Sequence, residues 1–269
     1  MKHWRLSIHG ALDAPLNMAI DETLWESVRS GVSLPSIRFY SWYPASFSIG
    51  RFQKPDSLLD LDACARSGIR VVRRMTGGGA IYHNNEITYS LACPLEILGV
   101  SSVKDGYRKL TGFILNSYRK LGLDADYIGR KTGEKTSAYC FSGLEEYDIA
   151  IDGKKIGGNA QRIMGGIVFQ HGSIPISIAH DDYAKYLKPD VEHQMENFTS
   201  LSRHLNPMPD TGDLVEVLIE SFSETMCAEL DDTDLSRDEW ELAERLVFEK
   251  YSADEWNTGI SQTRAEVIR

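Results

Sequence analysis

The residues of this chain that can do chemistry fall into a few short runs. Arg73-Arg74-Met75-Thr76 leads into Gly77-Gly78-Gly79, and His83 follows. Further on, Lys154-Lys155 enters Ile156-Gly157-Gly158-Asn159-Ala160-Gln161, with His171 beyond it, and Cys140 stands between the two runs. Three consecutive glycines cost backbone entropy and pack nothing, so they are expected where backbone must approach a ligand closely. There the amides of Gly77 to Gly79 can touch the ligand, while Arg73 and Arg74 can meet an anion. The plainer alternative is a glycine-rich hairpin with two solvated arginines. The run is neither GxGxxG opening a helix nor GxxxxGK[ST], which argues against a dinucleotide fold and a P-loop.

In the second run a lysine leads into two glycines and two amides. A hairpin lysine is normally solvated, but beside Asn159 and Gln161 its ammonium can stabilise a carbonyl or phosphate oxygen. Cys140 lies at the edge of a polar loop, shortly before that lysine. A nearby cation would lower its pKa and make thiolate available. Cys64, Cys93 and Cys227 read as small buried hydrophobes. His83 and His171 adjoin glycine-rich or polar segments and read as hydrogen-bonded groups or bases. No HExxH and no carboxylate pair at ligand spacing occurs, so a metal site is not expected.

Around these residues the elements alternate between two periodicities. Trp4 to Ile8, Ile37 to Tyr40, Ser46 to Ile49 and Ile69 to Arg73 read as strands, with helices over 17–30 (capped by Asn17 and ended by Gly31) and over 57–67. Strands leave the glycine turn at Ala80 to Tyr82 and Ile87 to Cys93. A helix carries Tyr107, Leu110, Ile114 and Leu121, and Ala125 to Ile128 is a short strand. Gly129 to Ala138 is patternless and reads as a loop. Asp152-Gly153 is a hairpin turn between Tyr147 to Ile151 and Lys155 to Ile156. Gly166 to His171 and Ser173 to Ile176 continue the sheet. Leu214, Leu218, Phe222 and Met226 mark an amphipathic helix, and Ser236 to Glu239 is a capping box before the stripe Leu242, Ala243, Leu246, Val247. Strands in the middle with helices early and late predict an α+β fold. We expect a main region over residues 1–230 and a helical extension over 231–269 packed on it as one domain.

Composition narrows the classes. The chain has 269 residues, is 42% hydrophobic and 25% charged, and carries a net charge of −10. That is an ordinary globular composition, and the acidity argues against nucleic acid as partner. Four cysteines without a CxxC pair form no disulfide framework. No apolar run is long enough to span a membrane, and the first residues lack a signal-peptide core. A soluble cytoplasmic protein is expected.

Several of these runs resemble one family. RRMTGGGAIYH with the following TYSLACP, and GKKIGGNAQ with IVFQHGSIPI, are similar to the two signatures of the lipoate–protein ligase A and octanoyltransferase family. LNMAIDETL and EKYSADEWNTG resemble its opening and closing segments. The resemblance implies a biotin/lipoate-protein-ligase-like (class II synthetase-like) fold, with a mixed β-sheet and packed helices. It implies that Arg74, Gly77, Gly78, Gly79, His83, Gly158, Asn159, Ala160 and His171 border a pocket for a medium-chain acyl group. Lys155 matches the family lysine that contacts the acyl carbonyl.

Cys140 selects within the family. Ligases that adenylate lipoate carry an Asn-Asp pair before the hairpin, whereas Cys140-Phe141 with Tyr147 resembles the cysteine-dependent octanoyltransferases of the LipM type. Those show Pro-Ser where this chain has Leu144-Glu145, and an arginine where it has Ile163, with Arg162 one place earlier. The likeness implies transfer of octanoyl from acyl carrier protein to Cys140 and then to a lysine of a lipoyl domain, with no cofactor. The alternatives are an ATP- and magnesium-dependent lipoate ligase, a lipoyl-domain amidotransferase, and a binding protein without catalysis. Because both implied partners are usually acidic, a basic patch from Arg73, Arg74, Lys154, Arg162 and Lys131 is expected near the pocket.

Overall fold

A computed structural model describes residues 2–100, 102–128, 147–179, 182, 184–188 and 197–259. Cys140, Lys131 and the segment Gly129 to Ala138 lie outside the described residues.

The frame is a six-stranded sheet with order β10-β11-β6-β2-β1-β13. In chain order these strands are β1 (Lys2–Leu12), β2 (Ser36–Trp42), β6 (Glu86–Pro94), β10 (Gly158–Met164), β11 (Ile167–Pro175) and β13 (Ala228–Asp232). β1 runs parallel to both β2 and β13, and the remaining pairs are antiparallel. The mixed sheet agrees with the expected α+β class. β13 is a strand that the sequence reading did not include. Asp231 and Asp232 pair with Arg5 and Leu6.

One face of this sheet is apolar. Trp4, Phe39, Tyr89 and Leu91 pack there against α3 (Val103–Lys120) and α4 (Thr211–Met226). Phe113 of α3 meets Phe39, Tyr89 and Phe222 edge to face at 6.4, 5.1 and 5.4 Å, and Trp4 meets Phe222 at 5.0 Å. Both helices start on a side chain that accepts a backbone N–H, Ser102 for α3 and Asp210 for α4.

The opposite face is polar and carries the site. Antiparallel register aligns Arg38, Ser90, His171 and Ala160 in one row, and Tyr40, Thr88, Ser173 and Gly158 in the next. Helix α1 (Ala14–Arg29) lies on this face and buries Asn17 and Asp21 beside Leu24 and Val28. Its cap is Asp13, with Pro15 in the first turn. Asn17, expected to be the cap, sits one turn inside and donates to the Leu12 and Ser41 carbonyls.

A three-stranded sheet stands beside α1, with order β4-β3-β5 for β3 (Ser46–Ile49), β4 (Arg70–Arg73) and β5 (Ile81–His83). β4 is parallel to β3 and β5 is antiparallel to it. The triple-glycine run therefore crosses over the end of β3 and is not a hairpin turn. Gly50, which follows β3, shows how close the crossing is: a Cβ there would lie 2.1 Å from the Gly78 carbonyl oxygen. The region read as one helix over 57–67 is a short 3₁₀ turn followed by α2 (Leu61–Arg66), whose cap is Asp60.

β7 (Ala125–Tyr127), β8 (Ile149–Ile151), β9 (Lys154–Ile156) and β12 (Phe198–Thr199) form a third sheet. Asp152 and Gly153 both adopt positive φ, as a two-residue β-hairpin turn of type I′ requires. The capping box at Ser236 and Glu239 opens α5 (Arg237–Leu246), which packs on α1. A π-helical turn, Val247–Tyr251, and the short helix α6 (Asp254–Asn257) follow. Among the described residues no helix is long and apolar enough to cross a membrane.

Candidate active site

A small cleft, partly open to solvent, lies between the polar face of the large sheet and the three-stranded sheet. It gathers Arg74, His83, Gly158, Ala160 and His171, five residues singled out from the sequence. Gly158 and Ala160 arrive by strand alternation on β10. Asn159, between them, turns to the helical face, where its Oδ1 accepts from the Tyr89 hydroxyl at 2.8 Å. Gly78, with φ of +90°, stands at the cavity edge: a Cβ there would be 2.9 Å from Arg74 Nη2 and 3.8 Å from the Ala160 methyl. Gly77 and Gly79 contribute through their carbonyls, which both accept from Arg74 Nη2 at 2.7 Å.

The arginines do something other than meet an anion. Arg74 is buried, and its five N–H groups go to the Thr76 hydroxyl, the Ser48 carbonyl and hydroxyl, and the carbonyls of Gly77 and Gly79. Burial pulls its pKa down to about 10, still cationic at neutral pH. Arg73 holds the C-terminal segment, donating to the carbonyls of Trp256 and Asn257 and to those of Gly50, Arg51 and Gln53. In return the Trp256 indole donates to the Arg73 carbonyl. Both are scaffolding, so the expected basic patch loses Arg73 and Arg74. Arg162 is half-buried on the Met75 carbonyl, and Lys154 is exposed on the hairpin.

Lys155 projects from β9 toward Gly158, its Cε 3.9 Å from where a Cβ on that glycine would stand. Its ammonium is 2.7 Å from Asp148 Oδ2, with both side chains largely shielded from solvent. The corner joining β9 to β10 needs Gly157 itself. Its φ is +79°, and any Cβ would lie 2.0 Å from the Ser173 carbonyl oxygen.

Two buried chains of polar groups form the cavity wall. In one, the Thr76 hydroxyl is 2.6 Å from His171 Nε2, and His171 Nδ1 faces Asp21 Oδ2 at 3.6 Å. Asp21 also accepts from Arg38, Ser90 and the Tyr40 hydroxyl. Burial works against the Asp21 charge, but the bonds to it outweigh burial and hold the carboxyl below its ordinary range. Burial depresses the His171 pKa, so the ring is neutral at pH 7. In the other chain, the Ser48 hydroxyl is 2.7 Å from His83 Nε2, and His83 Nδ1 is 2.7 Å from Glu86 Oε1. Trp42 stacks on His83 at 3.9 Å and donates to Thr88.

Sequence reasoning missed Asn17, Asp21, Trp42, Ser48 and Thr76. A signal for two of them existed: Asn17 and Asp21 share the helical stripe of Leu24 and Val28, which puts two polar groups on a buried face. Of the remaining cysteines, Cys64 and Cys93 are buried as expected, and burial pushes their pKa values up to about 11 and about 12. Cys227 is exposed instead, because it caps α4 in the left-handed conformation. Among the described residues no group of three or more His, Cys, Asp or Glu could hold a metal ion.

Comparison with known proteins gives this geometry a context. The family model described as the lipoyl protein ligase A/B catalytic domain matches residues 13–223. The octanoyltransferase LipM of Anoxybacillus flavithermus is 33% identical, with 94% of this chain and 97% of that protein covered. The octanoyltransferase LipM of Kyrpidia tusciae is 34% identical, over 96% and 99%. Among solved structures, lipoate-protein ligase A bound with ATP superposes with a TM-score of 0.82 at 28% identity, covering 97% of this chain and all of that one. A bipartite lipoate protein ligase from Thermoplasma acidophilum, studied with its E2 lipoyl domain, superposes with a TM-score of 0.80 at 27% identity over the full length of both chains. The fold is that of the lipoate-protein ligases, and the chain belongs to the lipoyl protein ligase A/B catalytic-domain family.

Proposed function

We propose that this protein is an acyltransferase of protein lipoylation that moves an octanoyl group onto a lysine of a lipoyl domain. The observation that carries this reading is the near full-length likeness to octanoyltransferases named LipM, at 33 and 34% identity. The cleft agrees with it: Gly158, which lines it, lies close to the side chain of Lys155, which is largely shielded from solvent. In this reading the donor is octanoyl-acyl carrier protein. The Cys140 thiolate attacks the thioester carbonyl, the carrier sulfur leaves as thiolate, and octanoyl rests on Cys140. The uncharged ε-amine of the acceptor lysine then attacks, the amide forms, and Cys140 is released. Lys155 stabilises the oxyanion in both steps. Thioester exchange is nearly isoenergetic and thioester to amide is downhill, so the sequence needs no ATP.

The likeness to lipoate-protein ligase A bound with ATP favours a second reading, ATP-dependent ligation. A single assay separates the two. With octanoyl-acyl carrier protein and a lipoyl domain but no ATP, the transferase modifies the domain. Modification only with free octanoate or lipoate plus ATP, accompanied by pyrophosphate exchange, would establish the ligase.

A further inference from the structure

Arg74 connects the two polar chains of the cavity wall. Its Nε donates to Thr76 Oγ1 at 3.2 Å and its Nη1 to Ser48 Oγ at 3.2 Å. Each hydroxyl also meets an imidazole Nε2, and each imidazole turns Nδ1 toward a carboxylate, Asp21 for His171 and Glu86 for His83.

The protons follow from the partners. An ionised carboxylate only accepts, so the nitrogen facing it carries hydrogen. In a neutral ring the other nitrogen is then bare and must accept. The Ser48 and Thr76 hydroxyls are the groups in reach. Guanidinium only donates, so it fills an acceptor site on each hydroxyl oxygen and leaves the hydroxyl proton for the ring. We infer that Arg74 is a positioning residue: it aims the Ser48 and Thr76 hydroxyls at His83 and His171 and so holds both rings in the Nδ1-protonated form with Nε2 capped.

The spacing of Ser48, His83 and Glu86 is that of a nucleophile, base and acid. Arg74, the cation beside Ser48, has all five N–H groups committed and none left for an oxyanion. The geometry therefore suits shielding. Two imidazoles border the cavity, and the unprotonated nitrogen of each is already taken up by a hydroxyl and not open to a water molecule that enters. Proton movement is left to the Lys155–Asp148 side. That consequence rests on the acyl-transfer reading, whereas the tautomers do not.

Long-range proton–nitrogen NMR of the nitrogen-15-labelled full chain at pH 7 reads the tautomers directly, with His83→Gln and His171→Gln assigning the rings. His83 and His171 are expected with the proton on Nδ1 and a bare, hydrogen-bonded Nε2. His9 is the internal contrast: its Nδ1 accepts from Arg38 Nε at 2.9 Å, so its proton belongs on Nε2. Thr76→Val should shift the Nε2 resonance of His171 alone, Ser48→Ala that of His83 alone, and Arg74→Lys both. A proton on Nε2 of either ring in the parent protein overturns the inference, as does an Arg74→Lys spectrum with both rings unchanged. Should Arg74→Lys not fold, the two hydroxyl variants decide by the same criterion. Loaded with octanoyl thioester, Thr76→Val is expected to lose the acyl group to water on the order of 100-fold faster. Unchanged loss would overturn the shielding role. Failure of the parent protein to load would count against the transfer reading and leave the tautomers untouched.

Discussion

The ammonium of Lys155 lies 2.7 Å from Oδ2 of Asp148, across the hairpin that joins β8 to β9. A cation held this way is aimed before any substrate arrives, which is what makes a charged donor effective on a developing oxyanion. Lys155→Ala should lower the transfer rate by about 100- to 1,000-fold, the loss typical of one oxyanion donor. Asp148→Asn keeps the donor and loosens its aim, so a smaller loss is expected. Steady-state transfer assays check both, with thermal melting to show that each variant folds. A Lys155→Ala enzyme of near-parental rate would remove the lysine from the mechanism.

Arg38 and Asp21 form a fully buried ion pair at 2.8 Å. Removing one partner leaves an uncompensated charge in the interior, at a cost of about 3–5 kcal/mol. Arg38→Met should therefore shift the urea midpoint strongly, and adding Asp21→Leu should recover part of the loss. A single variant within about 1 kcal/mol of the parent would contradict the importance given to this pair.

Acid should destabilise the fold through histidine. Burial lowers the pKa of His171, and burial followed by the nearby Arg38 lowers that of His9, both from an ordinary 6.5. Below about pH 6.5 the unfolded rings bind protons that the folded rings refuse. Stability must then fall as the pH drops from about 6.5 toward the depressed folded values, and it should be flat above that window for these groups. Melting temperature measured from pH 8 to pH 5 tests the sign. His171→Gln should flatten the acid limb, and an unchanged limb would count against His171 as its source.

Trp42 bears on chain length. The row Gly158, Ser173, Thr88, Tyr40 spans three strand spacings, roughly 14 Å, from the Lys155 side to β2. Trp42 lines the cavity at the β2 end, stacked on His83. Trp42→Ala should open that end and admit acyl chains longer than octanoyl, at a stability cost of about 3–5 kcal/mol. Competition between donors of graded chain length, read by mass spectrometry of the acceptor, measures the shift. An unchanged preference would place the end of the acyl chain elsewhere.

The features legible in the sequence were those decided locally. The strand Ser46–Ile49, the Asp152-Gly153 turn and the Ser236 to Glu239 capping box depend on neighbouring residues, and each stands where it was expected. The glycine crossing depended on which strand lies between β4 and β5, a question of distant pairing. The same holds for β13, whose acidic residues join the sheet only because β1 lies beside them. At the site, Arg74, His83, Gly158, Ala160 and His171, singled out in the sequence, come together around one cleft. The pattern did not show that Arg74 serves the turn's own carbonyls, nor that Arg73 ties down Trp256 and Asn257. Those partners are set by the folded chain.

Transfer by this route requires a covalent octanoyl group on one sulfur. The direct measurement is intact-mass and peptide mass spectrometry after brief exposure to octanoyl-acyl carrier protein with no acceptor present. One octanoyl adduct is expected, mapped to Cys140, absent in Cys140→Ala, and discharged when a lipoyl domain is added. An enzyme that modifies the lipoyl domain from this donor while Cys140 stays bare, or whose Cys140→Ala variant remains active, would contradict it.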